Sequence, residues 1–190
     1  MKSLLIIATL LFLTSCDVFE TRNAEAPDQS RSNYQPASEP EIVIQNLINA
    51  FADKNGDNYL KSFSEGAFSN KIFTFLPSSS ALSRFQNVWP NWNRDAELQY
   101  FNNMKTSVPD ELPVTLTFSN SSTSVFGDSL KYTAQYFLNV PQRTTDPLIF
   151  EGNVEFNMER DSRSVWVIYL WKDNAIEDKP SWSDLKGSVY

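Results

Sequence analysis

An α+β fold, with N-terminal helices packed on a curved antiparallel sheet, follows from three features of this 190-residue sequence. Apolar residues recur at helical spacing up to about residue 106, the period switches to two beyond Pro113, and turn residues then fall at hairpin intervals. The stretch from 41 to 175 suits one domain with a single core, and aromatic residues are spread along it.

The first helix is expected over about 39 to 54. Ser38-Glu39-Pro40-Glu41 has capping-box spacing, and Ile44, Leu47, Ile48 and Phe51 recur at i, i+3, i+4 and i+7 before Asn55-Gly56 stops the run. Asp57 caps a second, short helix carrying Tyr59, Leu60 and Phe63, which Gly66 closes. A third helix spans Asn93 to Thr106 with Leu98, Phe101 and Met104 inward, and Pro109 and Pro113 follow its end.

Beyond Pro113, Val114, Leu116 and Phe118 alternate with Thr115 and Thr117. Leu130, Tyr132, Ala134, Tyr136 and Leu138 alternate with polar residues, as do Phe150, Val154, Phe156 and Met158. Gly127-Asp128 and Asp161-Ser162 are expected to close antiparallel hairpins, and Pro141 and Pro147 bracket a longer connection. The last strand breaks the alternation. Val165, Val167, Tyr169 and Trp171 hold one phase and Trp166, Ile168 and Leu170 the other, so both faces are apolar. Either the tail over 176 to 190, with Trp182 and Leu185, or another protein covers the second face.

Ahead of this domain, Met1 to Cys16 reads as a secretion leader. Lys2 gives the charged start, Leu4 to Leu13 an apolar run too short to span a bilayer, and Leu13-Thr14-Ser15 small residues before a cysteine. Leu-Thr-Ser-Cys resembles a bacterial lipobox. That resemblance implies cleavage after residue 15 and a diacylglyceryl thioether with an acylated amine on Cys16, giving stable membrane anchoring. Residues 16 to 40 are polar and Pro-containing and read as a disordered tether, with a reach of roughly 25 to 30 Å. The expected address is the extracytoplasmic side of a bacterial envelope membrane.

Composition excludes several chemistries. There is no His, and Cys16 is the sole cysteine, so the usual neutral-pH general base, Ser-His and Cys-His nucleophiles, and zinc, haem and iron-sulfur sites are all set aside. A formal charge of -7 with no basic run argues against nucleic acid as a partner. Asp53, Asn55 and Asp57 echo the opening of a calcium loop, but Asn58 stands where Gly is needed and Ser64 where the bidentate Glu belongs. A helix end followed by a new helix cap accounts for the same residues, and no metal or cofactor is expected.

Two segments carry a family resemblance: 51 to 65, Phe-Ala-Asp-Lys-Asn-Gly-Asp-Asn-Tyr-Leu-Lys-Ser-Phe-Ser-Glu, and 156 to 173, from Phe156-Asn-Met-Glu to Leu170-Trp-Lys-Asp173. Through them residues 41 to 175 resemble the nuclear transport factor 2-like superfamily, also called SnoaL-like or cystatin-like. The resemblance implies a sheet wrapped around helices into a cone with a pocket at its mouth, and it implies no single activity, since this fold hosts isomerases, dehydratases and plain association domains.

An isomerase- or cyclase-like site would need a carboxylate and a Tyr converging in that cone. Tyr132 and Tyr136 hold the inward phase of their strand, whereas Glu151, Glu155 and Glu159 share the outward phase. The sequence therefore favours a lipid-anchored binding or assembly module, with contacts at Tyr132, Tyr136, Trp166, Ile168 and Leu170. Its expected partner is a second copy or another envelope protein.

Overall fold

The computed structural model describes residues 33 to 190. The leader, Cys16 and the spacer through residue 32 lie outside the described residues. Helix α1 spans Pro40–Ala52 and α2 Gly56–Leu60; strand β1 follows at Thr74–Leu76, α3 at Ser79–Arg84, a 3-10 turn at Trp89–Asn91 and α4 at Arg94–Ser107. Strands β2 (Thr115–Phe126), β3 (Ser129–Val140), β4 (Leu148–Arg160) and β5 (Trp166–Ala175) come next, and helix α5 (Trp182–Val189) closes the chain.

The five strands form one sheet in the order β1-β5-β4-β3-β2. The β2–β5 neighbours are antiparallel, and β1 joins the β5 edge in parallel. Gly127-Asp128 turns β2 into β3 as expected. The β4–β5 connection is longer than two residues. It runs from Asp161 to Val165, because the Asp161 carboxylate accepts from the backbone N–H of Arg163 and Val165 and holds a wider loop.

The inner face of the sheet is apolar, with Leu130, Ala134, Leu138, Phe150, Val154, Phe156 and Met158 buried against the helices. Helix α1 buries Val43, Asn46, Leu47, Ala50 and Phe51, so the expected stripe is rotated and Ile44 and Ile48 are only half-buried. Its N-cap is Glu39 with no side-chain cap bond, so the expected Ser38 capping box does not form. In α4 the buried stripe is Ala96, Glu97, Tyr100, Phe101 and Met104, with Leu98 at its margin.

Three expectations give way at the domain's ends and in its last strand. First, residues 33 to 38 are docked rather than free. The Asn46 amide bridges both backbone groups of Gln35 at 2.7 and 3.0 Å, Asn49 donates to the Asn33 carbonyl, and Trp166 N–H donates to the Ala37 carbonyl at 2.7 Å. Polar composition hid these bonds, which pair the segment's backbone without an apolar pattern. Second, the tail is part of the domain: it holds α5, whose Trp182 and Leu185 belong to the core, as the alternative of self-coverage has it.

Third, β5 carries a bulge. Met158 pairs with Ile168 but Asn157 pairs with Leu170, leaving Tyr169 unpaired. One extra residue flips the side-chain phase, so Ile168 before it and Trp171 and Asp173 after it all face inward. The bulge accounts for part of the strand's doubled apolar pattern, while Val167, opposite in phase to Ile168, is also fully buried, so the strand is covered on both sides at that point. Its inner side is covered by the same chain, so the pattern does not by itself call for a partner.

Candidate functional site

The cone interior holds two buried polar centres, and both are built around α5. Helix α4 starts at the Asn93 side chain, which accepts from Ala96 N–H, and this phase turns Glu97 into the apolar stripe above Tyr100 and Phe101. Glu97 is fully buried. Its Oε2 accepts from Tyr59 Oη at 2.7 Å, and its Oε1 accepts from Trp92 Nε1 at 2.6 Å and Lys186 Nζ at 2.5 Å.

Lys186 arrives from α5 and is also 0% exposed. Its ammonium sits 3.6 Å from the ring centroids of both Phe75 and Trp171, with Trp92 and Tyr100 at 5.4 and 5.5 Å. Ring faces thus supply the negative potential that water would have supplied. Burial still disfavours the charged form and pulls the lysine down to about 8, with Glu97 opposing it.

The second centre is Asp173, brought inward by the β5 bulge. Its Oδ1 accepts from Tyr136 Oη at 2.8 Å, and its Oδ2 accepts from the Ser183 backbone at 2.7 Å and the Ser183 hydroxyl at 2.5 Å. Tyr136 Oη in turn accepts from Trp182 N–H at 2.7 Å. These donors are the orphan N–H groups of the first turn of α5, where a carboxylate also meets the positive end of the helix dipole. A capping box between Ser181 and Asp184 completes that terminus, and Arg84 pairs with Asp184 at 2.9 Å. Burial raises Asp173, and the hydrogen bonds from Ser183 and Tyr136 oppose that rise.

Tyr136 fits because its cross-strand neighbour is Gly152, where a Cβ would come within 2.4 Å of the tyrosine hydroxyl. Desolvation, ahead of the adjacent Asp173 charge, pushes Tyr136 well up from its usual value; burial does the same to Tyr59 and Tyr100. Tyr100 Oη accepts from Trp182 Nε1 at 2.8 Å.

The five residues expected to form a contact surface do not come together as one. Tyr136 is in the second centre. Tyr132 is half-buried at the rim, stacked on Phe156 and meeting Phe118 edge-on. Ile168 is 0% exposed, and Trp166 lies partly buried against the core under the Arg160 guanidinium. Leu170, on the outer phase, is half-buried. Ile168 is unable to serve as a contact residue because its own chain encloses it.

Glu151, Glu155 and Glu159 stand outside the cone, paired with Lys179, Lys172 and Lys71. The calcium-like residues are occupied as caps and latches. Asn55 caps α2 through Asn58 N–H, Asp53 accepts from Asn33, and Lys54 donates to the carbonyls of Pro109, Asp110 and Leu112. Among the described residues no three acidic or metal-ligating side chains cluster.

Sequence reasoning missed Glu97, Asp173 and Lys186. Two of them carried a signal: Glu97 precedes Tyr100, Phe101 and Met104 at i+3, i+4 and i+7, and Lys186 occupies i+4 of the stripe Trp182, Leu185 and Val189. A charge at an apolar position of a helical stripe marks a buried pair. Asp173 carried none, since only the bulge turns it inward.

No family model matches the sequence, and no curated protein matches it. Solved structures do match in shape. A candidate aromatic ring hydroxylase from Novosphingobium aromaticivorans superposes with a TM-score of 0.58 at 12% identity, over 77% of this chain and 92% of that one. A candidate dehydratase of the NTF2-like family from Streptomyces avermitilis gives 0.53 at 9% identity, over 72% and 93%. An NTF2-like superfamily protein from Salmonella enterica serovar Typhimurium gives 0.50 at 11% identity, over 70% and 85%. The fold is that of the NTF2-like cone.

Proposed function

We propose that this is a lipid-anchored envelope protein whose NTF2-like domain is a non-catalytic binding or assembly module. One observation carries the reading: α5 packs into the cone interior, and both inner carboxylates bind it. Glu97 receives three donors, and Asp173 also accepts three hydrogen bonds from Tyr136 and Ser183. A general base needs a free lone pair within reach of a substrate proton, and three hydrogen bonds from the chain itself occupy most of the acceptor sites on each carboxylate. The anchoring half of the proposal rests on the lipobox-like Leu13-Thr14-Ser15-Cys16.

Partner contact then falls on the outside of the domain. Val125 and Phe126, 69% and 61% exposed at the β2–β3 tip, are the most open adjacent apolar pair among the described residues. Pull-down of the full-length protein from detergent-solubilised envelopes tests this. A second copy or an envelope protein should be captured by the wild type and lost with Phe126→Ser, while the melting temperature stays within about 2 °C. Wild-type protein that captures neither overturns the module reading.

A second reading keeps the Asp173–Tyr136 pair, 2.8 Å apart, as the acid-tyrosine couple of an isomerase-like site exposed when α5 is away. Two of the structural neighbours bear enzyme names, which is why this reading is kept. Turnover that appears only when residues 182 to 190 are removed would favour it.

A further inference from the structure

The Lys186 ammonium is held as proteins hold free organic cations, by ring faces on several sides and one carboxylate. Every wall of this cage comes from elsewhere in the chain. Phe75 is on β1, Trp171 on β5, Trp92 just after the 3-10 turn, and Tyr100 and Glu97 on α4. We propose that the cone interior is a binding site for an unbranched primary alkylammonium, which the chain fills with its own Lys186, so that α5 is a tethered occupant of the cone.

Two observations extend the argument beyond a simple buried ion pair. Glu97 keeps donors from Tyr59 and Trp92 that do not depend on Lys186, so the carboxylate remains aimed into the cage when the ammonium leaves. Selectivity also follows from the walls. The rings accept a cation at 3.6 Å with a single oxygen acceptor beside it, a pattern that a neutral alcohol of the same shape satisfies poorly. A free amine competes badly with the native side chain, since tethering gives Lys186 an effective concentration of roughly millimolar or more. The site shows itself when the tethered side chain is shortened.

Lys186→Ala in the full-length protein removes the last three carbons and the ammonium, which together have the shape of n-propylammonium. That amine should then raise the melting temperature of the variant saturably, by roughly 5 to 10 °C at a hundred times its Kd. The wild type should not respond. Neither should Lys186→Met, where a neutral side chain of similar length fills the cage. 1-Propanol should give the Lys186→Ala variant little or no shift, and adding Glu97→Gln should abolish the response to the amine. If Lys186→Ala is unfolded alone, circular dichroism read during amine titration should show folded signal returning. An amine without effect on Lys186→Ala by either readout, or 1-propanol matching the amine, overturns the proposal.

Discussion

Glu97 and Lys186 illustrate how a charge becomes tolerable inside an apolar cone. Each is fully buried, and each answers the other's desolvation together with neutral donors and ring faces. Breaking the pair from one side leaves an uncompensated buried charge. Glu97→Gln and Lys186→Met, measured by denaturant melts, should each cost about 3 to 5 kcal/mol, and the double variant should cost clearly less than their sum. Additive losses would mean that the two groups do not interact. Alkaline titration reads the same interior. Lys186 is lowered to about 8, so between there and the ordinary lysine value the unfolded chain holds a proton that the folded chain lacks, and stability rises with pH. Tyr59, Tyr100 and Tyr136 are raised, so their contribution is intact below the usual tyrosine value of 10.0 and is lost above it, by up to about 1.4 kcal/mol per pH unit for each. The stability profile should therefore climb gently above pH 8 and fall steeply above pH 10. At this scale the sequence was legible for Tyr136, which period-two alternation pointed inward. It was not legible for Asp173, whose direction depends on one unpaired residue four positions away.

At the scale of elements, pattern reading succeeded where an element's own period survives folding. The helices near 40, 57 and 94, strands β3 and β4 and the first part of β2 are where hydrophobic spacing put them. It held only in part for β5, where Val167 and Ile168 are buried on opposite phases but a bulge shifts the phase beyond them, and it failed for residues 33 to 38 because backbone hydrogen bonds leave no compositional trace. Trp166 lies where these two departures meet. Its backbone binds Ala37 and its ring lies under Arg160, so Trp166→Ala should cost roughly 2 kcal/mol of folding and increase hydrogen exchange at residues 34 to 38. Unchanged exchange there would mean that the Trp166 ring does not help to hold the segment, which its backbone bonds and Asn46 and Asn49 then keep in place. Helix α5 is the element on which the interior depends most. Gly187 lets it close on Phe85, where a Cβ would come within 2.3 Å of the ring, so Gly187→Ala should destabilise by a clear margin in a thermal melt, and an unchanged melt would place α5 further from Phe85.

For the whole molecule, the fold is NTF2-like, and the inner face of its sheet is packed by α5 of the same chain. Placed at a membrane by a lipidated Cys16, as proposed, such a domain would present its outer surface to partners. Cys16→Ser should move the protein out of the membrane fraction, and recovery of the variant in that fraction with the same processing would sink the anchoring proposal. The central claim concerns the interior, and NMR of the full-length protein with 13C-labelled lysine reads it directly. With the Lys186 ammonium 3.6 Å from two ring centroids, one lysine side chain should have methylene protons shifted strongly upfield by ring currents and should titrate near 8. Lysines that all resonate at ordinary positions and titrate together near the usual value would mean that the cone is open and α5 is not its occupant.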